Sequence, residues 1–180
     1  MPGGILPITL LTGTVAQDPD QTFDPSDPIG TTAAPITVSG SAFLRLALDT
    51  ADLTPPDPNT DIDLYLYDEA GNFIDQSAAS GTAELIEVPL PEDGTYTLYV
   101  HGWAVPGGSA GFSLRSWSVP IQPGTGALQI TSAPTSVTVG QQATIVASWS
   151  GLQPATEHLG AVSHSRGDEL LGLTLVEIDT

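Results

Sequence analysis

The sequence predicts an all-β chain: an antiparallel, jelly-roll-like β-sandwich over about residues 1–120, then a small immunoglobulin-like or fibronectin-like β segment over 127–180. Three observations carry this reading. Apolar and polar residues alternate with period two from end to end, the signature of half-buried strands. Glycine and proline, 19 and 16 of 180 residues, punctuate the apolar runs and leave no room for long helices. Tight-turn signals, Glu69-Ala70-Gly71-Asn72 and Asp93-Gly94, fall between alternating runs.

Taken in order, the run Ile5 to Leu11 is apolar but broken by Pro7, and no basic residue precedes it, so it does not read as a signal peptide. Gln17 to Pro28 carries Asp18, Asp20, Asp24 and Asp27 among prolines and reads as a loop, as does Thr54 to Thr60. Ser41 to Asp49 turns Leu44, Leu46 and Leu48 inward. Residues 61–68 place Ile62, Leu64 and Leu66 on one face and Asp61, Asp63, Tyr65 and Tyr67 on the other, because strand side chains alternate. Short strands follow at Asn72 to Gln76 and Ala83 to Val88. Thr95 to His101 buries Tyr96, Leu98 and Val100 and points Thr97, Tyr99 and His101 outward. Ala110 to Trp117 returns antiparallel after Pro106-Gly107-Gly108. Residues 121–126 read as a linker. Beyond it, Gln142 to Ser150 is expected to bury Ala143, Ile145, Ala147 and Trp149. A segment so short, without a disulfide, makes a marginal core and calls for a docking surface.

Composition excludes several functions. The chain has no lysine, three arginines and a formal net charge of −18, concentrated in the first 120 residues, which rules out a nucleic-acid partner. Absence of cysteine removes disulfides, thiolate catalysis and cysteine metal sites. No apolar stretch approaches the roughly 20 residues of a membrane helix, so no membrane partner is expected. An acidic, lysine-free chain rich in Asp, Thr, Ser, Gly and Pro fits a secreted, extracellular bacterial protein.

No catalytic residue is assigned. His101, His158 and His164 read as polar outward positions on strands, and the Gly-Thr-Ser-Met-Ala motif of subtilisins is missing. Calcium is the better chemical candidate, because Asp57, Asn59, Asp61 and Asp63 supply oxygen ligands at alternating positions. An EF-hand is rejected, since Ile62 stands where that loop requires glycine. The competing role is structural: Asp57 and Asn59 make turns, and Asp61 caps a strand. The acids of 18–27 form a second, weaker cation candidate against a reading as solvated loop acids. Tyr65, Tyr67 and Tyr99, with Trp103 nearby, form an outward aromatic set suited to polypeptide or glycan. The same face is also suited to packing against residues 127–180.

Asp61-Ile62-Asp63-Leu64-Tyr65-Leu66-Tyr67-Asp68 with Gly71, followed by Gly94-Thr95-Tyr96-Thr97-Leu98-Tyr99-Val100-His101-Gly102, resembles the bacterial pre-peptidase C-terminal domain over roughly residues 35–119. The strings Val146 to Leu152, His158 to Ser163 and Leu173 to Val176 resemble the extreme C-terminus of some secreted bacterial subtilisin-like serine peptidases. The resemblance implies a non-catalytic accessory region whose partner is an upstream peptidase catalytic domain in the same parent chain, assisting substrate contact, secretion or stability. The alternative is a carbohydrate-binding or adhesive β-sandwich module of another exoprotein.

Overall fold

The computed structural model describes residues 5–120, 128–167 and 169–180; the expected linker at 121–126 lies outside them. The strands are β1 (Ile5–Pro7), β2 (Thr9–Ala16), β3 (Thr31–Val38), β4 (Ser41–Leu48), β5 (Leu53–Thr54), β6 (Asp61–Tyr67), β7 (Phe73–Ser77), β8 (Glu84–Pro89), β9 (Gly94–Ala104), β10 (Ser109–Pro120), β11 (Leu128–Ser132), β12 (Val146–Trp149), β13 (Glu157–Arg166) and β14 (Glu169–Asp179). They fall into two compact units, Thr9–Ser118 and Met1–Ile8 with Val119–Thr180.

The larger unit is an all-β sandwich. One sheet runs β2-β10-β4-β8, with β5 paired to β10, and the other runs β3-β9-β6-β7. Pairing is antiparallel between β2 and β10, β4 and β8, β3 and β9, β9 and β6, and β6 and β7. Alternation decides what lies between the sheets. Leu44, Leu46 and Leu48 of β4 meet Ile62, Leu64 and Leu66 of β6 and Tyr96, Leu98 and Val100 of β9 in one core, with Ile86, Phe112 and Leu114. Each fully buried leucine or isoleucine contributes about 1.5–3 kcal/mol of transfer free energy.

In the smaller unit, β1, β13 and β14 form a three-stranded sheet and β11 and β12 a two-stranded one. Ile5 pairs with Gly160, and the Ile8 amide donates to the Glu157 carbonyl at 3.0 Å, so the first strand belongs to this unit. Alternation cannot name a strand's partner, which is why β1 reads from sequence as part of the sandwich. The core is small: Ile5, Leu128, Val162 and Ile178, with Ile130, Ala147, Leu152 and Val176 against it. The inward set expected at 143–149 is corrected. Ile145 and Trp149 are 38% and 51% exposed. Only Val146–Trp149 is a strand, and its single neighbour β11 gives that stretch little to be buried under.

One glycine fixes how the sandwich closes at the end of β9. Gly102 has its amide bonded to the Gly30 carbonyl and its carbonyl to the Asp18 amide, each at 2.8 Å. A Cβ there would overlap the Ala16 carbonyl oxygen and press on Val105. Gly102→Ala is therefore expected to cost about 1–3 kcal/mol, the range for overpacking a close-packed site, read as a lower urea midpoint with unchanged m-value. An unchanged midpoint would show that the approach is not tight.

Candidate functional site

The outer face of the β3-β9-β6-β7 sheet collects the polar and aromatic side chains that alternation turns away from the core. Tyr65 lies opposite Tyr99 and Asp63 opposite His101, with a register shift between Asp61 and Asp63. The loop between β2 and β3 crosses the end of this face. Its base is tied to β9: Gln17 Nε2 and Gln21 Nε2 donate to the Trp103 carbonyl at 2.8 and 2.9 Å, and the Val105 amide donates to Gln17 Oε1 at 2.6 Å. Gly30, at φ +67°, closes the loop against the Asp18 backbone where no Cβ fits.

Under the loop sits a buried charge cluster. His101 is 0% exposed, Asp18 4% and Asp63 5%. His101 Nε2 lies 2.8 Å from Asp18 Oδ2 and His101 Nδ1 lies 3.3 Å from Asp63 Oδ2. With a carboxylate at each ring nitrogen, the imidazolium donates both ways. Burial alone lowers the His101 pKa, but hydrogen bonds and attraction from Asp63 and Asp18 outweigh it and raise it above 6.5. Burial likewise opposes ionisation of Asp18, yet the His101 bond and those from the Asp20 and Thr22 amides hold its pKa below 3.8. Tyr65 Oη donates to Asp63 Oδ2 at 3.3 Å, and burial beside that carboxylate pushes the phenol up to about 12.

Aromatic rings continue the face. Phe23 of the loop stacks on Tyr65 at 3.7 Å and 3° and meets Tyr99 and His101 edge-on at 5.6 and 5.8 Å. Tyr67 meets Tyr99 at 5.5 Å and Phe73 at 5.7 Å, both edge-to-face. Tyr67 and Tyr99 are half-buried, Phe73 is 52% exposed, and Trp103 is 41% exposed beyond His101.

The structure thus gathers Tyr65, Tyr67 and Tyr99 as expected and brings in Phe23 and Phe73. His101 is corrected. It points outward by register, but the loop encloses it and it makes a buried ionic contact. Asp18 is likewise no solvated loop acid, whereas Asp24 and Asp27 cap exposed turns through the Ser26 and Ile29 amides. His158 is buried between the Thr156 carbonyl and the Gln153 amide. Asp57 and Asn59 bond to each other in a turn, with the Asn59 amide 2.9 Å from Asp57 Oδ1. Among the described residues no three His, Cys, Asp or Glu side chains converge as a metal site. Gly107-Gly108-Ser109-Ala110-Gly111 has Gly-x-Ser-x-Gly spacing, but it leads from strand to strand, with Ser109 opposite Ala16, and makes no nucleophile elbow. Phe23 has one signal in the sequence, as the lone aromatic of a polar, proline-broken stretch.

Residues 32–102 match the family described as the bacterial pre-peptidase C-terminal domain. That stretch holds Asp61, Asp63, Tyr65, Tyr67, Tyr99 and His101, while Asp18 and Phe23 precede it. Pyrolysin from Pyrococcus furiosus is 36% identical over 66 residues, 37% of this chain and 4% of pyrolysin. Among solved structures, the Yersinia pseudotuberculosis-derived mitogen superposes with a TM-score of 0.42 at 13% identity, over 65% of this chain and 97% of that one. No helix among the described residues is long and apolar enough to cross a membrane.

The buried cluster makes stability depend on pH with a defined sign. Because the folded pKa of His101 is raised, its contribution is complete below about 6.5 and is lost as pH rises through the folded value. Asp18, lowered, contributes above about 3.8 and loses that as pH falls through its folded value. The denaturant midpoint is expected to decline from pH 6.5 to 9. His101→Gln should be less stable at pH 5.5 and lose most of that alkaline slope; a slope identical to wild type would remove His101 as its source.

Proposed function

We propose that this chain is a non-catalytic accessory region of a secreted subtilisin-like serine peptidase, and that the aromatic outer face of its β3-β9-β6-β7 sheet contacts polypeptide substrate. The family match over residues 32–102 and the similarity to a short part of pyrolysin support the parentage. The parent's catalytic domain then lies elsewhere in the same polypeptide, and this chain supplies none of its nucleophile, base or oxyanion donors.

The observation that carries substrate contact is the cluster of Tyr67, Tyr99 and Phe73. These rings support one another edge-to-face, with Phe73 52% exposed and Tyr67 and Tyr99 half-buried. Rings held this way offer large contact area at little conformational cost. Thr97, opposite Tyr67 in register, supplies a hydroxyl beside them for an extended backbone.

Two measurements test the reading. Peptide mapping of the intact secreted precursor should find a subtilisin serine motif upstream of this region; its absence overturns the parentage. Retention on an insoluble fibrous protein should fall about tenfold in Tyr67→Ala and in Tyr99→Ala, the loss of a single aromatic anchor, with the urea midpoint checking that each variant folds. Retention untouched by both substitutions, or retention on insoluble glycan alone, would overturn the polypeptide reading.

A further inference from the structure

We propose that the Asp61 and Glu84 carboxylates form a cation site that takes calcium, where the start of β6 is flanked by the segment leading into β8. β7 pairs with β6 only from Leu64 onward, so the free side of Asp61–Asp63 is met by residues 81–84 instead. The Ile62 amide donates to the Gly81 carbonyl at 3.1 Å, Thr82 Oγ1 donates to the buried Thr60 carbonyl at 2.8 Å, and the Glu84 amide donates to the Thr82 carbonyl at 3.0 Å. These bonds hold Glu84 close enough for the charges of Asp61 and Asp63 to act on it.

Glu84 is 2% exposed, and no donor reaches either carboxylate oxygen with full hydrogen-bond geometry; the Ser77 hydroxyl and the Ala79 amide come near enough only to offset part of the cost of its burial. Asp61 Oδ1 is buried and without such a bond as well, although the Gly81 amide favours the Asp61 carboxylate; the one other such side-chain atom among the described residues is Trp117 Nε1. Buried carboxylates of two neighbouring acids are costly while both are ionised, a cost that a bound cation relieves. The arginines are engaged elsewhere, Arg45 with Glu87, Arg115 with Asp52 and Arg166 with Glu169. Asp63 Oδ2 already serves His101 and Tyr65. The site therefore rests on two carboxylates, consistent with the lack of any convergent group of three. An all-oxygen donor set completed by backbone carbonyls and water suits calcium, which accepts irregular coordination where magnesium demands a near-ideal octahedron. Thr60 and Gly81 each keep a second carbonyl lone pair for this. The competing neutraliser is a proton on Glu84.

The test uses the full 180-residue chain, freed of metal and held at pH 7. Millimolar calcium should raise Tm by about 5 °C or more over chelator, and terbium bound at the site should luminesce on excitation of the aromatic side chains and be displaced by calcium. Glu84→Gln and Asp61→Asn should each weaken calcium by about tenfold or more, since each removes a charged ligand, while Asp57→Asn keeps wild-type affinity. Asp61 is only half-buried, so its variant keeps the test valid if Glu84→Gln does not fold. Equal Tm in calcium and chelator, a calcium response surviving both variants, or one lost in Asp57→Asn would each overturn the site. None of these outcomes bears on polypeptide retention, which is read from Tyr67 and Tyr99.

Discussion

His101 holds the outer face together. A chain with no lysine has few ways to place a positive charge in its interior, and here a buried imidazole with a carboxylate at each nitrogen does so. The contact joins three parts of the sequence: Asp18 at the loop entrance, Asp63 on β6 and His101 on β9. Removing one partner of such a cluster costs about 3–5 kcal/mol, because the remaining charge stays buried without compensation. The backbone bonds from Asp18 and Gly30 to Gly102 fix the loop one residue farther along β9, so side-chain charge and main chain enforce the same position.

That position divides the aromatic face. Where the loop crosses, Phe23 stacks on Tyr65, and a ligand ring cannot take that same position. Beyond it, Tyr67, Tyr99 and Phe73 keep open edges. The rings best suited to contact are therefore those farthest from the buried charge, and Tyr65 serves as packing and as a donor to Asp63. A similar division applies to the acids: Asp24 and Asp27 are spent on turns, while Asp18, Asp61, Asp63 and Glu84 lie where charge must be compensated.

The sandwich was legible because period-two alternation translates directly into buried and outward faces. Leu44, Leu46, Leu48, Ile62, Leu64, Leu66, Tyr96, Leu98 and Val100 all occupy the core that pattern assigns them. Alternation fails where burial comes from something other than the opposing sheet. His101 reads as exposed because no local pattern reveals that a loop about 80 residues earlier in the chain folds over it. Glu84 carries a clearer signal, since it shares its phase with Ile86 in β8 and so falls at an inward position. Around residues 143–149 the pattern promises a strand longer than the four residues formed, and a two-stranded sheet gives it little cover.

Asp63 couples the two electrostatic features of the face. It accepts from His101 on one side, and its charge reaches Glu84 on the other. His101 in turn lowers the cost of ionising Asp61, while burial and Asp63 raise it. A cation on Asp61 and Glu84 would reduce the negative potential that keeps His101 protonated, and protonated His101 would weaken the hold on that cation. Linkage makes these two effects equal in free energy. Protons and the cation are then alternative ways of compensating one excess of buried carboxylate, protons in acid and the cation toward neutrality and above. With the proposed cation bound, the acidic end of the sandwich is expected to depend less on the His101 proton than it does without it.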